Sequence, residues 1–116
     1  MSATAVHNTR SSTNATWRRL YYWRSGGVLV DLTGATAKLQ VRTAPGGAVL
    51  LTAATGGQGI TLGGTAGTIA VVIAQATLAA LAPGVYAWDL VVTDSLGERR
   101  RLVAGTWTHE QGVTVP

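Results

Sequence analysis

The sequence predicts an all-β fold, an immunoglobulin-like antiparallel β-sandwich of about seven to eight strands with one short helical connector. Three observations support this class. Short apolar segments with period-two alternation recur along the chain, glycine-rich turns separate them, and only one segment has the composition of a helix. A small β-barrel is the main structural alternative.

The chain divides into an N-terminal arm and one domain. Residues 1–16 contain Ser, Thr, Asn, Ala and His without apolar periodicity, so we expect a flexible N-terminal arm. Residues 17–116 have the size of a single domain. The aromatic stretch from residue 17 to 23 predicts a first strand, and a glycine turn then leads into a short strand at 28–32 as a hairpin.

The middle of the chain contains the clearest strand pattern. In "DLTGATAKLQVRT" a turn at Thr33-Gly34 precedes strict alternation, which places Ala37, Leu39 and Val41 on one face. Residues 48–55 predict the next strand. The segments "ITL" and "TIAVVIA" predict two more strands around a tight turn that contains Gly63, Gly64 and Gly67.

The C-terminal half begins with the one predicted helix, at residues 75–82, which Pro83-Gly84 stops. Residues 85–94 predict a central strand, because both of its faces are mostly apolar. The sequence "DSLGE" predicts a hairpin turn with Gly97 at positive φ, and residues 99–110 predict the last long strand.

The composition narrows the chemistry available to the chain. There is no cysteine, so disulfides and thiolate metal sites are excluded. The front lacks the pattern of a signal peptide, and no apolar run has the length of a membrane helix, so we expect synthesis in the cytoplasm and no membrane partner. The net charge of +4 permits an acidic partner. However, Lys38 is the only lysine and no basic stripe continues beyond Arg24, which argues against nucleic acid binding.

Candidate catalytic groups are few. His7 falls in the predicted arm and His109 near the end of the last strand, where we expect it to face solvent, and neither has a second histidine at metal-ligand spacing. Asp89 interrupts an apolar strand. It is a candidate buried structural acid, which either pairs with an arginine across the sheet or accepts hydrogen bonds from the backbone amides of a turn, in preference to a catalytic acid. The glycine runs match no phosphate-binding motif. We therefore predict no enzymatic activity, no metal and no cofactor.

The segment "WRRLYYWR", residues 17–24, combines the three residue types that concentrate in interface hot spots. We expect it to form a docking surface together with the arm. The candidate docking residues are Arg10, Trp17, Arg18, Arg19, Tyr21, Tyr22 and Arg24. In the alternative interpretation the apolar side chains of this segment fill a core that contains no phenylalanine; these are Trp17, Leu20, Tyr22 and Trp23.

The order of the motifs resembles a group of small phage and prophage virion proteins, which includes the baseplate-attachment N-terminal module of some phage receptor-binding assemblies. The shared elements are "DLTGAT", the "QGI" step followed by "GTIAVVI", the "ATLAALAPGVYAWDL" helix-to-strand segment, the "DSLG" hairpin and the closing "GVT". The likeness covers residues 28–115. The polar arm and the basic first strand are longer than in that module.

The resemblance implies an immunoglobulin-like sandwich that is a structural component of a tailed-phage virion, a baseplate, tail or fibre adaptor. Its implied partners are other virion proteins and further copies of itself, and its implied location is the virion, after synthesis in the bacterial cytoplasm. It implies no catalytic residues. Two alternatives stay open: a capsid decoration protein, and a carbohydrate- or host-surface-binding β-sandwich module, which requires aromatic side chains exposed together on one face.

Overall fold

A computed structural model describes residues 5–25 and 27–114. Two β-sheets pack face to face as a sandwich, which confirms the predicted all-β class. The elements, in chain order, are β1 (Ala5–Val6), β2 (Thr9–Ser12), β3 (Trp17–Tyr22), β4 (Arg24–Ser25), β5 (Val28–Leu29), β6 (Thr36–Arg42), β7 (Val49–Ala54), β8 (Ile60–Leu62), β9 (Thr68–Ile73), α1 (Gln75–Ala79), β10 (Gly84–Thr93) and β11 (Arg99–Glu110). A 3-10 turn over Gly64–Ala66 joins β8 to β9.

The main sheet has the strand order β1-β11-β10-β6-β7, and β2 also pairs with β11. β10 lies between β11 and β6, as the apolar character of both its faces predicts. The β10–β11 hairpin turns at the predicted place, where Gly97 has a φ of 85°. Asp94 fixes this turn, because its carboxylate accepts hydrogen bonds from the backbone N–H groups of Leu96 and Glu98.

The small sheet has the order β3-β9-β8, and both of its pairings are antiparallel. The β4–β5 hairpin extends from the end of β3. Gly67, which ends the 3-10 turn with a φ of 65°, approaches this hairpin so closely that a Cβ there would lie 3.0 Å from the carbonyl oxygen of Val30. A glycine is therefore required at this position by both the backbone angle and the space.

The core lies between the two sheets. Alternating residues of β6 and β10 enter it from the main sheet, as the sequence pattern predicts, and Ile69, Val71 and Ile73 enter it from β9. Its largest fully buried side chain is Trp107 of β11. The connector α1 is shorter than the predicted helix, and it adds Leu78 to the core, which is 0% exposed.

The predicted N-terminal arm contains two strands in the structure. β1 and β2 both run parallel to β11, with Ala5 opposite Val103 and Thr9 opposite Trp107. Thr9 and Ser11 are buried. The prediction of an arm without regular structure is therefore corrected for residues 5–12, which belong to the edge of the main sheet. Residues 1–4 of the predicted arm lie outside the described part of the chain.

Candidate docking surface

The strand β3 carries most of the predicted docking residues, and its alternation divides them between two faces. Trp17 and Tyr21 point toward the core, whereas Arg18, Leu20 and Tyr22 point outward. Leu20 is 52% exposed and Tyr22 is 58% exposed. Arg19 lies on the inner side at the rim, with its guanidinium 5.3 Å from the centre of the Trp17 ring. This distance is typical of a cation–π contact.

The outer face of the small sheet continues this exposed surface onto β9. The register places Arg18 opposite Val72 and Leu20 opposite Ala70. Val72 is exposed and Ala70 is half-buried. We refer to Arg18, Leu20, Tyr22, Ala70 and Val72 as the β3 surface. It combines an apolar centre with an arginine and a tyrosine, a composition typical of interface hot spots.

Trp17 does not belong to this surface. It is 4% exposed, and its ring centre lies 4.6 Å from that of Trp107 and 6.3 Å from that of Trp88. Its indole N–H donates a hydrogen bond to Thr9 Oγ1 at 3.2 Å. The prediction of Trp17 as a docking residue is therefore wrong, because the indole completes the aromatic centre of the core.

The core-filling interpretation of "WRRLYYW" holds for two of its four side chains and is wrong for the other two. Trp17 fills the core, and Trp23 packs against it half-buried. Leu20 and Tyr22 are exposed instead. The indole N–H of Trp23 is buried without a hydrogen-bond partner among the described residues, so this end of β3 contains an unsatisfied donor.

The other candidate docking residues have distinct surroundings. Arg10 on β2 is exposed and donates to the Glu110 carboxylate at 2.9 Å. Arg24 on β4 is exposed. Tyr21 is half-buried, and its hydroxyl lies 2.8 Å from His7 Nδ1. Burial raises the pKa of Tyr21 to about 12, partly offset by the charge of Arg19.

His7 lies between the two sheets near the rim, with edge-to-face contacts to the rings of Tyr21 and Trp88 at 5.9 Å each. Its backbone is fixed as well, because its carbonyl accepts a hydrogen bond from the Trp88 indole at 3.0 Å. Burial lowers the pKa of His7, and the nearby guanidinium of Arg19 lowers it further. The imidazole therefore favours its neutral form.

Asp89 is not the buried acid that the sequence predicts. Its side chain is 38% exposed on the outer face of the main sheet. Of the two predicted partner types, the structure shows the arginine, because Asp89 Oδ2 lies 3.4 Å from Nε of Arg101 on the neighbouring strand β11. The mostly apolar strand sequence suggested burial, but Val85, Ala87 and Val91 on the same face are also exposed or half-buried.

His109 was expected to face solvent, and this prediction is wrong. His109 is 2% exposed; its Nε2 lies 2.8 Å from the carbonyl oxygen of Leu78, and its Nδ1 lies 2.7 Å from Ser11 Oγ. A carbonyl only accepts, so Nε2 carries the proton. Ser11 then donates to Nδ1 and accepts the indole N–H of Trp107 at 2.6 Å. With these donors and acceptors every polar atom in this chain of hydrogen bonds has a partner.

The Ser11–His109 pair also bears on catalysis, because the sequence offered no serine with an apparent base. Both side chains are enclosed by the sheet and by α1, and Ser11 Oγ already makes two hydrogen bonds. A nucleophile needs access to a substrate carbonyl. The arrangement joins β2, β11 and α1, and the geometry supports a structural role.

The outer face of the main sheet contains a concave region of about 670 Å³. Lys38, Arg42 and Arg99 line it together with threonine side chains. Within the described ranges, no three His, Asp or Glu side chains are grouped so that they could hold a metal ion. No helix in this part of the chain has the length and apolar character needed to cross a bilayer.

Comparisons with known proteins give no family assignment: no family model matches the chain, and no curated protein sequence is significantly similar to it.

Proposed function

We propose that this chain is a structural component of a tailed-phage virion, a baseplate, tail or fibre adaptor that docks on other virion proteins through the β3 surface. The observation that carries the proposal is the exposure of Leu20 and Tyr22 beside Arg18 on one sheet face. Exposed aromatic, aliphatic and arginine side chains in one patch mark protein-binding surfaces more than ligand pockets. The motif order that resembles phage virion proteins supplies the context.

The distribution of the aromatic side chains favours this role over a carbohydrate-binding module. Sugar recognition by stacking needs several aromatic rings exposed on one face. Trp17, Trp88 and Trp107 are buried, and among the described tryptophans and tyrosines Tyr22 alone is exposed. Tyr86, which is half-buried, donates its hydroxyl proton to the backbone carbonyl of Ala82. A single exposed ring favours protein contact.

The proposal is tested by incorporation into phage particles. Tagged wild-type chain and two variants, Leu20→Ser and Tyr22→Ser, are expressed during infection or induction of the phage that encodes the chain. Their copies per purified particle are counted by quantitative mass spectrometry. Val85→Ser and Leu96→Ser are matched controls, because these side chains are 66% and 92% exposed away from the β3 surface.

We expect the wild type and both controls in the particles, and at least tenfold fewer copies of the two β3 variants. Absence of the wild type from particles would overturn the virion role. Equal incorporation of all four variants would overturn the β3 surface as the docking site. Several to a few dozen copies per particle support an adaptor, whereas hundreds would replace it with the capsid decoration role.

A further inference from the structure

In the described part of the chain, the strand β3 pairs with another strand along one backbone edge only. Antiparallel ladders alternate, so every second residue directs both its N–H and its C=O toward the partner strand. Trp23 N–H donates to Gly67, and Val72 N–H donates to Gly59 on the far side of β9. This fixes the phase of the ladder: Trp17, Arg19 and Tyr21 bond toward β9.

The remaining residues of β3, which are Arg18, Leu20 and Tyr22, therefore direct their backbone N–H and C=O groups away from β9. We call this row the β3 edge. The Arg18 carbonyl is consistent with this orientation, because it accepts a hydrogen bond from the guanidinium of Arg19 at 3.1 Å instead of from a strand. Within the described residues β3 is the terminal strand of the small sheet. An open strand edge is a template for pairing with another strand.

The sequence of β3 is complementary to itself when two copies run antiparallel around Leu20. In that register Leu20 lies opposite Leu20 of the other copy, Arg18 lies opposite Tyr22, and Arg19 lies opposite Tyr21. Arginine across from tyrosine permits cation–π contacts between the two copies. The backbone phase also fits, because Arg18, Leu20 and Tyr22 of each copy direct their N–H and C=O groups toward one another, and the Arg18 carbonyl exchanges its contact with the Arg19 guanidinium for the partner strand.

The charges of the same strand disfavour the neighbouring registers. A different register is possible only if residues with outward backbone groups still lie opposite one another. The two nearest registers that meet this condition are centred on Arg19 and on Tyr21. The first places Arg19 opposite its own copy, and the second places Arg18 opposite Arg24. Like charges directly across a ladder are destabilising. Parallel in-register pairing has the same defect, so the register around Leu20 is selected.

We propose that the β3 edge binds the β3 edge of a second copy of this chain, antiparallel and centred on Leu20, so that the two small sheets become one continuous sheet. Such a two-fold contact is isologous, with each copy supplying the same residues. The contact is one strand long and therefore smaller than the roughly 1,200 Å² of a standard interface. We expect a reversible dimer. This inference goes beyond the proposed function and does not depend on it, because it concerns the isolated chain.

Disulfide trapping tests the register directly, because the natural chain has no cysteine. In Leu20→Cys, the two introduced thiols belong to a hydrogen-bonded pair with Cα atoms about 5.5 Å apart, which matches disulfide geometry. In Tyr22→Cys, an equally exposed position, the thiols lie four residues apart along the ladder, about 13 Å. We expect at least tenfold faster dimer formation on mild oxidation for Leu20→Cys. Equal rates, or no dimer from either variant, would overturn the pairing.

Charge exchange provides a second test that does not use cysteine. Sedimentation velocity over a concentration series measures the dimer dissociation constant of the wild type, Tyr22→Arg, and the double variant Arg18→Glu with Tyr22→Arg. We expect Tyr22→Arg to weaken the dimer at least tenfold, because it faces Arg18 of the other copy, and the double variant to restore it. A wild type that stays monomeric, or a double variant no tighter than Tyr22→Arg, would overturn the proposal. Val85→Arg is the control for added charge, because Val85 lies outside β3.

Discussion

Ser11 Oγ lies 2.7 Å from His109 Nδ1, and the two residues are 98 positions apart in the chain. This contact, enclosed between the sheets, fixes the N-terminal strand β2 onto the C-terminal strand β11. The Trp107 indole completes it by donating to the same Ser11 oxygen at 2.6 Å. The N-terminal segment is therefore held by polar contacts inside the sheet, in addition to its backbone pairing with β11.

Replacing Ser11 by alanine removes the acceptor for the Trp107 indole and the donor to His109 at once. We expect Ser11→Ala to lower the free energy of unfolding by about 1–3 kcal/mol, because two buried polar atoms lose their partner. Ser12→Ala is the matched control. Ser12 Oγ is half-buried and donates to Asn14 at 2.8 Å. Urea unfolding of both variants measures the difference, and an equal loss in the two would contradict the importance of the buried network.

Gly105 shows a second reason why the N-terminal segment fits against β11. A Cβ at this position would lie 2.8 Å from the His7 carbonyl carbon and 2.9 Å from Asn8 Oδ1. Such contacts are shorter than real Cβ atoms make. Neither atom can move away easily, because the first belongs to the backbone and the second accepts a hydrogen bond from the Thr106 N–H. The link between β1 and β2, which is His7 and Asn8, can therefore lie this close to β11 because residue 105 has no side chain.

We expect Gly105→Ala to displace the N-terminal segment while leaving the rest of the sandwich intact. Hydrogen exchange provides the measurement. The amide of His7, which donates to the Ala104 carbonyl at 2.9 Å, and the amide of Thr106, which donates to Asn8 at 3.0 Å, should lose protection. The amides of the β6–β10 pairing are the internal control and should keep theirs. Unchanged protection at His7 would show that the close approach is unimportant.

The sequence was sufficient to predict the strands that alternate, and insufficient to place the segment that does not. Leu39 and Val41 on β6 and Leu90 on β10 are inside because period-two apolar residues need a shared core. In β2, "TRSS", the inward residues are Thr9 and Ser11. Small polar side chains in alternation do not form the apolar pattern that predicts a buried strand face. The hydrogen-bond partners of Ser11, which are His109 and Trp107, lie 98 and 96 residues further along the chain.

The candidate docking surface shows the same limit. The composition of residues 17–24 indicated an interface, but a strand places alternate residues on opposite faces. The sequence did not decide whether Trp17 or Leu20 would face the core. The four tryptophans suggested that aromatic residues would fill it, and three of them do, whereas Leu20 is exposed. Only the pairing of β3 with β9 sets which face is covered.

Trp17 and Tyr22 separate the folding and docking roles of β3. We expect Trp17→Ala to lower the free energy of unfolding by about 3–5 kcal/mol, because it leaves a large cavity beside Trp107 and Trp88. Tyr22→Ala, at a 58% exposed position, should change it by less than about 1 kcal/mol. Urea unfolding measures both losses in the free energy of unfolding. Circular dichroism follows the transition in both variants, and tryptophan fluorescence follows it in addition for Trp17→Ala. Comparable losses would mean that Tyr22 is part of the core.

The His7 imidazole gives the fold a dependence on pH. Its pKa in the folded chain lies below the ordinary value of 6.5, mainly through burial. At a pH between the folded pKa and 6.5, the unfolded chain binds more protons at His7 than the folded chain does, so the free energy of unfolding rises with pH. The stabilisation is complete above about pH 6.5 and is lost as the pH falls through the folded pKa. The lowered pKa of Asp31, caused by its hydrogen bonds from Thr33, acts in a separate window below pH 3.8.

Replacing His7 by glutamine tests this dependence, because glutamine keeps a hydrogen-bonding group near Tyr21 but does not titrate. We expect His7→Gln to show a shallower decrease in the free energy of unfolding than the wild type as the pH falls below about 6.5. Urea unfolding at a series of pH values measures both slopes. Arg19→Gln should retain most of the wild-type slope, because burial contributes more than the Arg19 charge to the lowered pKa. If Arg19→Gln removes the slope entirely, charge repulsion from Arg19, and not burial, lowers the pKa of His7.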